Sequence, residues 1–204
     1  VLEQKSPDGV KMTAANVQPL VLPKGAPRRF QLGRQLEFSD FESWAEVSSI
    51  FAPLFTEAQK LKPNSPINAE IAKIRAASSD PKIQAAAALA LVEAQVRYVF
   101  LGMNDGALVP APADLTWSRR FGDCKGKTAL LLALLDGLGI SAKPALVSSR
   151  NGDGLQDRLP TVEIFDHVIV RASIGGKTYW LDGTRLFDGD IDAIPMPGFG
   201  WALP

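Results

Sequence analysis

The chain has 204 residues, 46% of them hydrophobic, and its 22 Lys plus Arg balance 22 Asp plus Glu. That length and composition suffice for a full core in one domain, or one domain with an appendage, and a net charge of zero offers no field to draw nucleic acid or an anionic bilayer. A single Cys excludes an internal disulfide, and one Cys with one His cannot furnish an ordinary zinc site, so neither metal nor cofactor is expected.

Residues 1–38 read as strands broken by Pro7, Pro19, Pro23 and Pro27. Arg28 to Phe38 reads as a final strand, with Phe30, Leu32, Leu36 and Phe38 alternating around an interruption at Gly33. Phe41 to Leu61 has a helical stripe of Trp44, Val47, Ile50, Phe51, Leu54 and Phe55, with Asp40 as candidate N-cap and Pro53 expected to kink or divide it. A second helix is predicted over 66–77. A third starts at Asp80-Pro81, a cap followed by proline at the first helical position, and runs to about Leu101.

The Gly and Pro density from Gly102 to Gly122 predicts an irregular loop. An apolar helix then spans Cys124 to Leu138 and ends at Gly139, a left-handed cap. Its apolar run, Thr128 to Leu135, is too short to cross a bilayer. A strand over Ala142 to Ser149, a polar loop from Arg150 to Pro160, and two strands at about 166–174 and 177–183 joined by Gly175-Gly176 follow. After Asp188 the sequence becomes a Gly/Pro-rich tail. The chain opens on Val1 rather than Met, as a processed protein or an excised piece of a longer one would.

The one cysteine and the one histidine both fall where thiol catalysis would use them. A helix N-terminus presents unpaired N–H groups and a positive dipole end, conditions that favour a thiolate nucleophile at a position such as Cys124. His167 begins a strand and would act as base and then as acid, with Asp182 fixing its tautomer. Hairpin geometry tests this pairing. If Gly175-Gly176 form a two-residue turn, Ile174 pairs with Lys177 and Asp182 lies opposite Ile169, on the face that His167 shares. The two are then diagonal neighbours, about 7 to 8 Å apart between α-carbons. A one-residue slip would send Asp182 to the other face and make Asp166 the next candidate.

The backbone N–H of Cys124 is available to an oxyanion, joined by a side-chain donor for which Gln95 and Trp117 are the candidates, Gln95 slightly ahead. Each residue also has a plainer role. A lone Cys is usually a small buried hydrophobe, a histidine can simply start a strand, and an Asp before Gly183-Thr184 can simply make a turn. Gln95 can be helix surface, Trp117 core, and Asp123 a cap. The catalytic reading gains from Cys124, His167 and Asp182 meeting separate requirements together.

These residues also carry a resemblance. Tyr98, the Gly102-to-Pro112 loop, Arg119-Arg120-Phe121-Gly122-Asp123-Cys124-Lys125, Leu130 to Leu135, Leu138 to Ala142, Phe165-Asp166-His167 and Tyr179 to Thr184, in that order, resemble the transglutaminase-like superfamily. The likeness is to bacterial members in which the core follows an N-terminal β-sandwich domain of unknown function. The resemblance covers about residues 40–190 and implies an α+β, papain-like fold, with the catalytic Cys opening a central helix packed on an antiparallel sheet that carries His and Asp.

It implies three regions: 1–38 as the last strands of a preceding sandwich or a linker, 39–190 as the core, and 191–204 as a tail. It also implies a Cys124-His167-Asp182 enzyme acting on a peptide or protein through a thioester. Water as acceptor would give a peptidase or amidase and lysine a protein-glutamine transglutaminase. A peptide-binding or scaffold module is the non-enzymatic alternative. Such proteins often read Gly-Asp-Cys-Lys-Asp-Lys, and this chain has Gly126 at the second acidic position. They are often exported, which points to the periplasm or cell envelope. The oligomeric state is not legible in the sequence.

Overall fold

A computed structural model describes residues 2–7, 9–30, 33–101 and 108–204. The chain divides into two compact units, Val1–Glu37 and Phe38–Pro204.

The first unit holds an antiparallel hairpin, β1 (Leu2–Ser6) and β2 (Gly9–Thr13), registered from Leu2 opposite Thr13 to Ser6 opposite Gly9. The strand expected from Arg28 is absent among the described residues. Arg28–Phe30 is instead a 3-10 turn closed by the Phe30 N–H on the Pro27 carbonyl at 2.9 Å. Proline fixes its own φ near the value a turn needs and so wins over the alternation that follows. Leu32, part of that expected strand, lies outside the described residues.

The second unit begins with three helices: α1 (Trp44–Ala58), α2 (Ile67–Ala77) and α3 (Pro81–Gln95). Ser43, not Asp40, caps α1 by accepting the Glu46 N–H at 3.2 Å, while Glu46 reaches back to the Glu42 N–H at 2.8 Å. The helix continues through Pro53 undivided. Phe51 and Phe55 on either side are buried, so packing holds the turn whose hydrogen bond the proline forgoes. Asp80 caps α3 as expected, accepting the Lys82 N–H at 2.8 Å with Pro81 behind it.

This third helix stops at Gln95, short of Leu101, because Arg97–Tyr98 forms a two-residue strand, β3. The partner of β3 is β4 (Phe121–Gly122), parallel, with Tyr98 opposite Gly122. The described part of the expected loop thus contains β4 and also a short helix, α4 (Ala113–Arg119), which ends on Arg120 in a left-handed conformation.

Helix α5 (Cys124–Leu138) runs through the centre. From Cys124 to Leu135 every residue except Lys125 is buried, as a helix with neighbours on all sides must be. It packs on α2, α3 and α4 and on strands β5 (Ser141–Val147) and β6 (His167–Ile174). Its end is closed by Gly139 at φ +79°, with the Gly139 N–H on Asp136 O and the Ile140 N–H on Leu135 O, both at 2.9 Å.

The antiparallel sheet has the order β7-β6-β5-β8, where β7 is Lys177–Leu181 and β8 is Ala202–Leu203. Alternation serves two faces: Leu146, Val168, Val170 and Ala172 join the main core, while Ala145, Val147 and Ile169 pack with Trp180 and Phe199. The final residues are therefore more than a tail, since β8 pairs with Leu146 and Val147 and completes the sheet. Helices packed on an antiparallel sheet, with the cysteine opening the central helix, make an α+β fold.

Candidate active site

Asp123 fixes the first turn of α5. Its side chain accepts the Gly126 N–H at 2.9 Å and its carbonyl the Lys127 N–H at 3.0 Å, and it is also paired with Lys125. The Cys124 N–H, in the first turn, has no acceptor within the helix. The height of α5 over the sheet is set by Thr128, whose hydroxyl donates to the Val168 carbonyl at 3.2 Å. Since Thr128 is one turn beyond Cys124 and Val168 is one residue beyond His167, the helix start lies level with the strand start.

The hairpin register agrees with the parity argument. Ile174 pairs with Lys177 and Val170 with Leu181, and the turn glycines take positive φ, +59° at Gly175 and +80° at Gly176. His167 and Asp182 are brought together accordingly: Nε2 of the ring lies 2.8 Å from Oδ2 of Asp182. The other carboxylate oxygen accepts from the Thr184 N–H at 2.9 Å and the Thr184 hydroxyl at 2.7 Å, so Asp182 is held from both sides. Phe199 lies against the imidazole at 5.7 Å between ring centres.

Cys124 lines the same hollow as this imidazole and is among the groups that raise its pKa. With Nε2 on Asp182, Nδ1 is the ring nitrogen that Asp182 leaves free. Burial works to lower the His167 pKa, but hydrogen bonds and charge from Asp182 and Cys124 outweigh it and raise the value from 6.5 to about 10. Burial likewise works to raise Asp182, and His167 with Thr184 reverses that, holding the carboxyl below its ordinary 3.8. These directions favour an imidazolium beside the Asp182 carboxylate at neutral pH.

Other candidates lie elsewhere. Gln95 is exposed and lines a separate hollow with Tyr98, Lys127 and Thr184. Trp117 is 5% exposed in the core, with the Arg120 guanidinium 3.6 Å from its ring centre. Neither is among the described residues lining the hollow that holds Cys124 and His167. Asp166 is engaged away from the ring, accepting from the Ser149 N–H and hydroxyl, both at 2.7 Å. At Gly126 a Cβ would stand 2.9 Å from Thr116 Oγ1 and 3.7 Å from Arg119 Nη2. Both of these buried atoms lack a hydrogen-bond partner among the described residues.

One residue escaped the sequence reading as a donor. Tyr98 is placed by β3 opposite Gly122, two residues before the cysteine. Burial raises the pKa of its phenol, and so do the charges of Cys124, Asp123 and Asp182, so it stays protonated at neutral pH, although like Gln95 it lines the neighbouring hollow and not the one that holds Cys124 and His167. Only the non-local pairing of β3 with β4 reveals this.

No protein-family model matches the chain, and no curated protein does. A solved structure from Parabacteroides distasonis ATCC 8503, described as a "putative protease", is similar with a TM-score of 0.55 at 15% identity, over 66% of this chain and 26% of that one. Another, described as a "putative cysteine protease" from Cytophaga hutchinsonii, is 19% identical over 67% of this chain and 45% of that one, with a TM-score of 0.44. The chain thus spans less than half the length of either protein. The first likeness is one of fold.

Proposed function

We propose that the chain is a thiol-dependent amide-processing enzyme of the transglutaminase-like kind, with Cys124 as nucleophile, His167 as acid and base, and Asp182 orienting the ring. The observation that carries this reading is the 2.8 Å bond from Asp182 to an imidazole that lines one hollow with the cysteine at a helix N-terminus.

Cys124 sulfur, as thiolate, attacks the substrate carbonyl carbon, and the oxyanion that forms is met by the Cys124 backbone N–H and the Tyr98 hydroxyl. His167, already protonated, passes its proton to the leaving amine nitrogen as the C–N bond breaks, which leaves a thioester and a neutral imidazole. That imidazole then takes a proton from water as the water oxygen attacks the thioester. The thiolate departs, and the acid product and the thiolate–imidazolium pair result. Asp182 carries no proton in this cycle; it keeps Nε2 oriented and stabilises the imidazolium. Hydrolysis is favoured over transfer to lysine because it requires no second binding site.

The test is acylation by p-nitrophenyl acetate followed by peptide mass spectrometry, with monodansylcadaverine competing against water for the acyl group. Acetyl on Cys124, lost in Cys124→Ser and slowed in His167→Ala, supports the assignment, and the product ratio separates hydrolysis from transamidation. No acyl group on Cys124 under conditions where the fold is intact removes the enzymatic reading and leaves a peptide-binding module.

A further inference from the structure

The hollow that holds Cys124 and His167 has a volume of about 220 Å³. An apolar protein cavity of roughly 150 Å³ accommodates benzene, and sites for whole drug-sized ligands begin at roughly 300 Å³. This one is therefore the size for a single large side chain. Its walls are Phe51 and Phe55 from α1, Leu146 and Val168 from the sheet, and Val162 and Phe165 from the segment before β6. None of these side chains offers a polar atom.

Phe100 and Leu108 line it too, and both leave much of their surface in water, at 72% and 51% exposure. The charged residues along it already have partners, Lys125 on Asp123 and Asp166 on Ser149. A glutamine or glutamate side chain entering there would give up water for no compensating bond.

We infer that this hollow is a subsite for one large apolar side chain of the substrate, aromatic or branched aliphatic, carried beside the carbonyl that Cys124 attacks. The inference rests on the acyl-transfer reading above and narrows it. The preferred substrate is a peptide with a hydrophobic residue next to the reacting bond, and a glutamine side chain is not what fills this space. Exposed Phe100 and Leu108 are covered when that residue binds, which adds buried apolar area to the encounter.

The experiment uses the whole chain and four acetyl-aminoacyl chloromethyl ketones, built on Phe, Leu, Gly and Glu. Each alkylation of Cys124 is followed by mass spectrometry, and each rate is divided by that of iodoacetamide on the same preparation. The Phe and Leu reagents are expected to react about 30-fold faster than the Gly and Glu reagents, within the range that an apolar pocket discriminates. Val162→Phe, which fills the hollow, should collapse that ratio towards one. Phe100→Ala, at an exposed position, should lower it several-fold without threatening the fold.

Fast iodoacetamide alkylation with equal rates for all four ketones, or preference for Gly or Glu, overturns the subsite and leaves the Cys-His-Asp assignment standing. A full preference for Phe surviving in both variants overturns this location for it. Slow alkylation by every reagent, iodoacetamide included, overturns the acyl-transfer reading and the subsite with it.

Discussion

Asp182→Asn preserves the shape of the residue that orients His167 and removes its charge. Against the cost of burial, Asp182 and Cys124 together lift the ring from 6.5 to about 10. At about 1.4 kcal/mol per pH unit, that net rise corresponds to about 5 kcal/mol, which Asp182 and Cys124 supply together after the cost of burial. Breaking a buried pair costs about 3–5 kcal/mol, and Asn still hydrogen-bonds, so a loss of about 2–3 kcal/mol at pH 7 is expected, or about 5–10 °C in Tm.

The pH dependence has a definite sign. A raised His167 contributes fully below pH 6.5 and loses its contribution as pH climbs through about 10. A depressed Asp182 contributes above its ordinary 3.8 and loses its contribution as pH falls further. The gap between wild type and variant should therefore be widest between about pH 4 and 6.5 and close at both extremes. Because the chain has one histidine, its ring gives one Cε1–H signal in NMR. That signal should be flat from about pH 5.5 to 8.5 in wild type and titrate at least two pH units lower in the variant than in wild type. A wild-type midpoint near 6.5, or the same midpoint in both proteins, refutes the electrostatic account.

Three other outcomes can be measured. Iodoacetamide at pH 6 should alkylate Cys124 at least tenfold faster than a free thiol, of which only about 0.3% is thiolate at that pH, and His167→Ala should remove most of the excess; equal rates for wild type and a free thiol would contradict it. Tyr98→Phe should slow acetylation by p-nitrophenyl acetate about ten- to a hundredfold while leaving Tm within about 2 °C, since it removes only a hydroxyl from a partly exposed side chain. An unchanged burst rate excludes Tyr98 as an oxyanion donor. Gly152→Ala should cost about 1–3 kcal/mol. A Cβ at Gly152 would stand 1.7 Å from the Phe199 carbonyl oxygen, and thermal unfolding would report the loss.

Much of the site was legible because it depends on local rules. Asp123 and Gly139 mark both ends of α5 by capping chemistry, and Gly175-Gly176 sets a two-residue turn whose parity dictates which acid meets His167. What the sequence concealed depends on pairing between distant residues. Strands β3, β4 and β8 are two residues long, too short for any alternation to register, and their partners are remote in the chain. Missing β3 extended α3 beyond Gln95 and hid the position of Tyr98. Helix α4 was masked by the glycines and prolines around it. Asp40 and Ser43 can both cap a helix; the reach of Glu46 to Glu42 accompanies the choice of Ser43, and spacing alone does not decide it.

The burial of α5 along its first three turns also has a kinetic consequence. Amides enclosed on every side exchange with solvent only when the whole unit opens, so those of α5 are expected to be the slowest in the molecule. Cys124 is thus fastened to the most persistent piece of backbone, and the acyl transfer proposed for it cannot rely on that piece moving to admit a substrate. Rearrangement on the timescale of turnover falls to walls nearer the surface, such as Phe100 and Leu108. There substitutions can retune what enters without loosening the nucleophile's mooring.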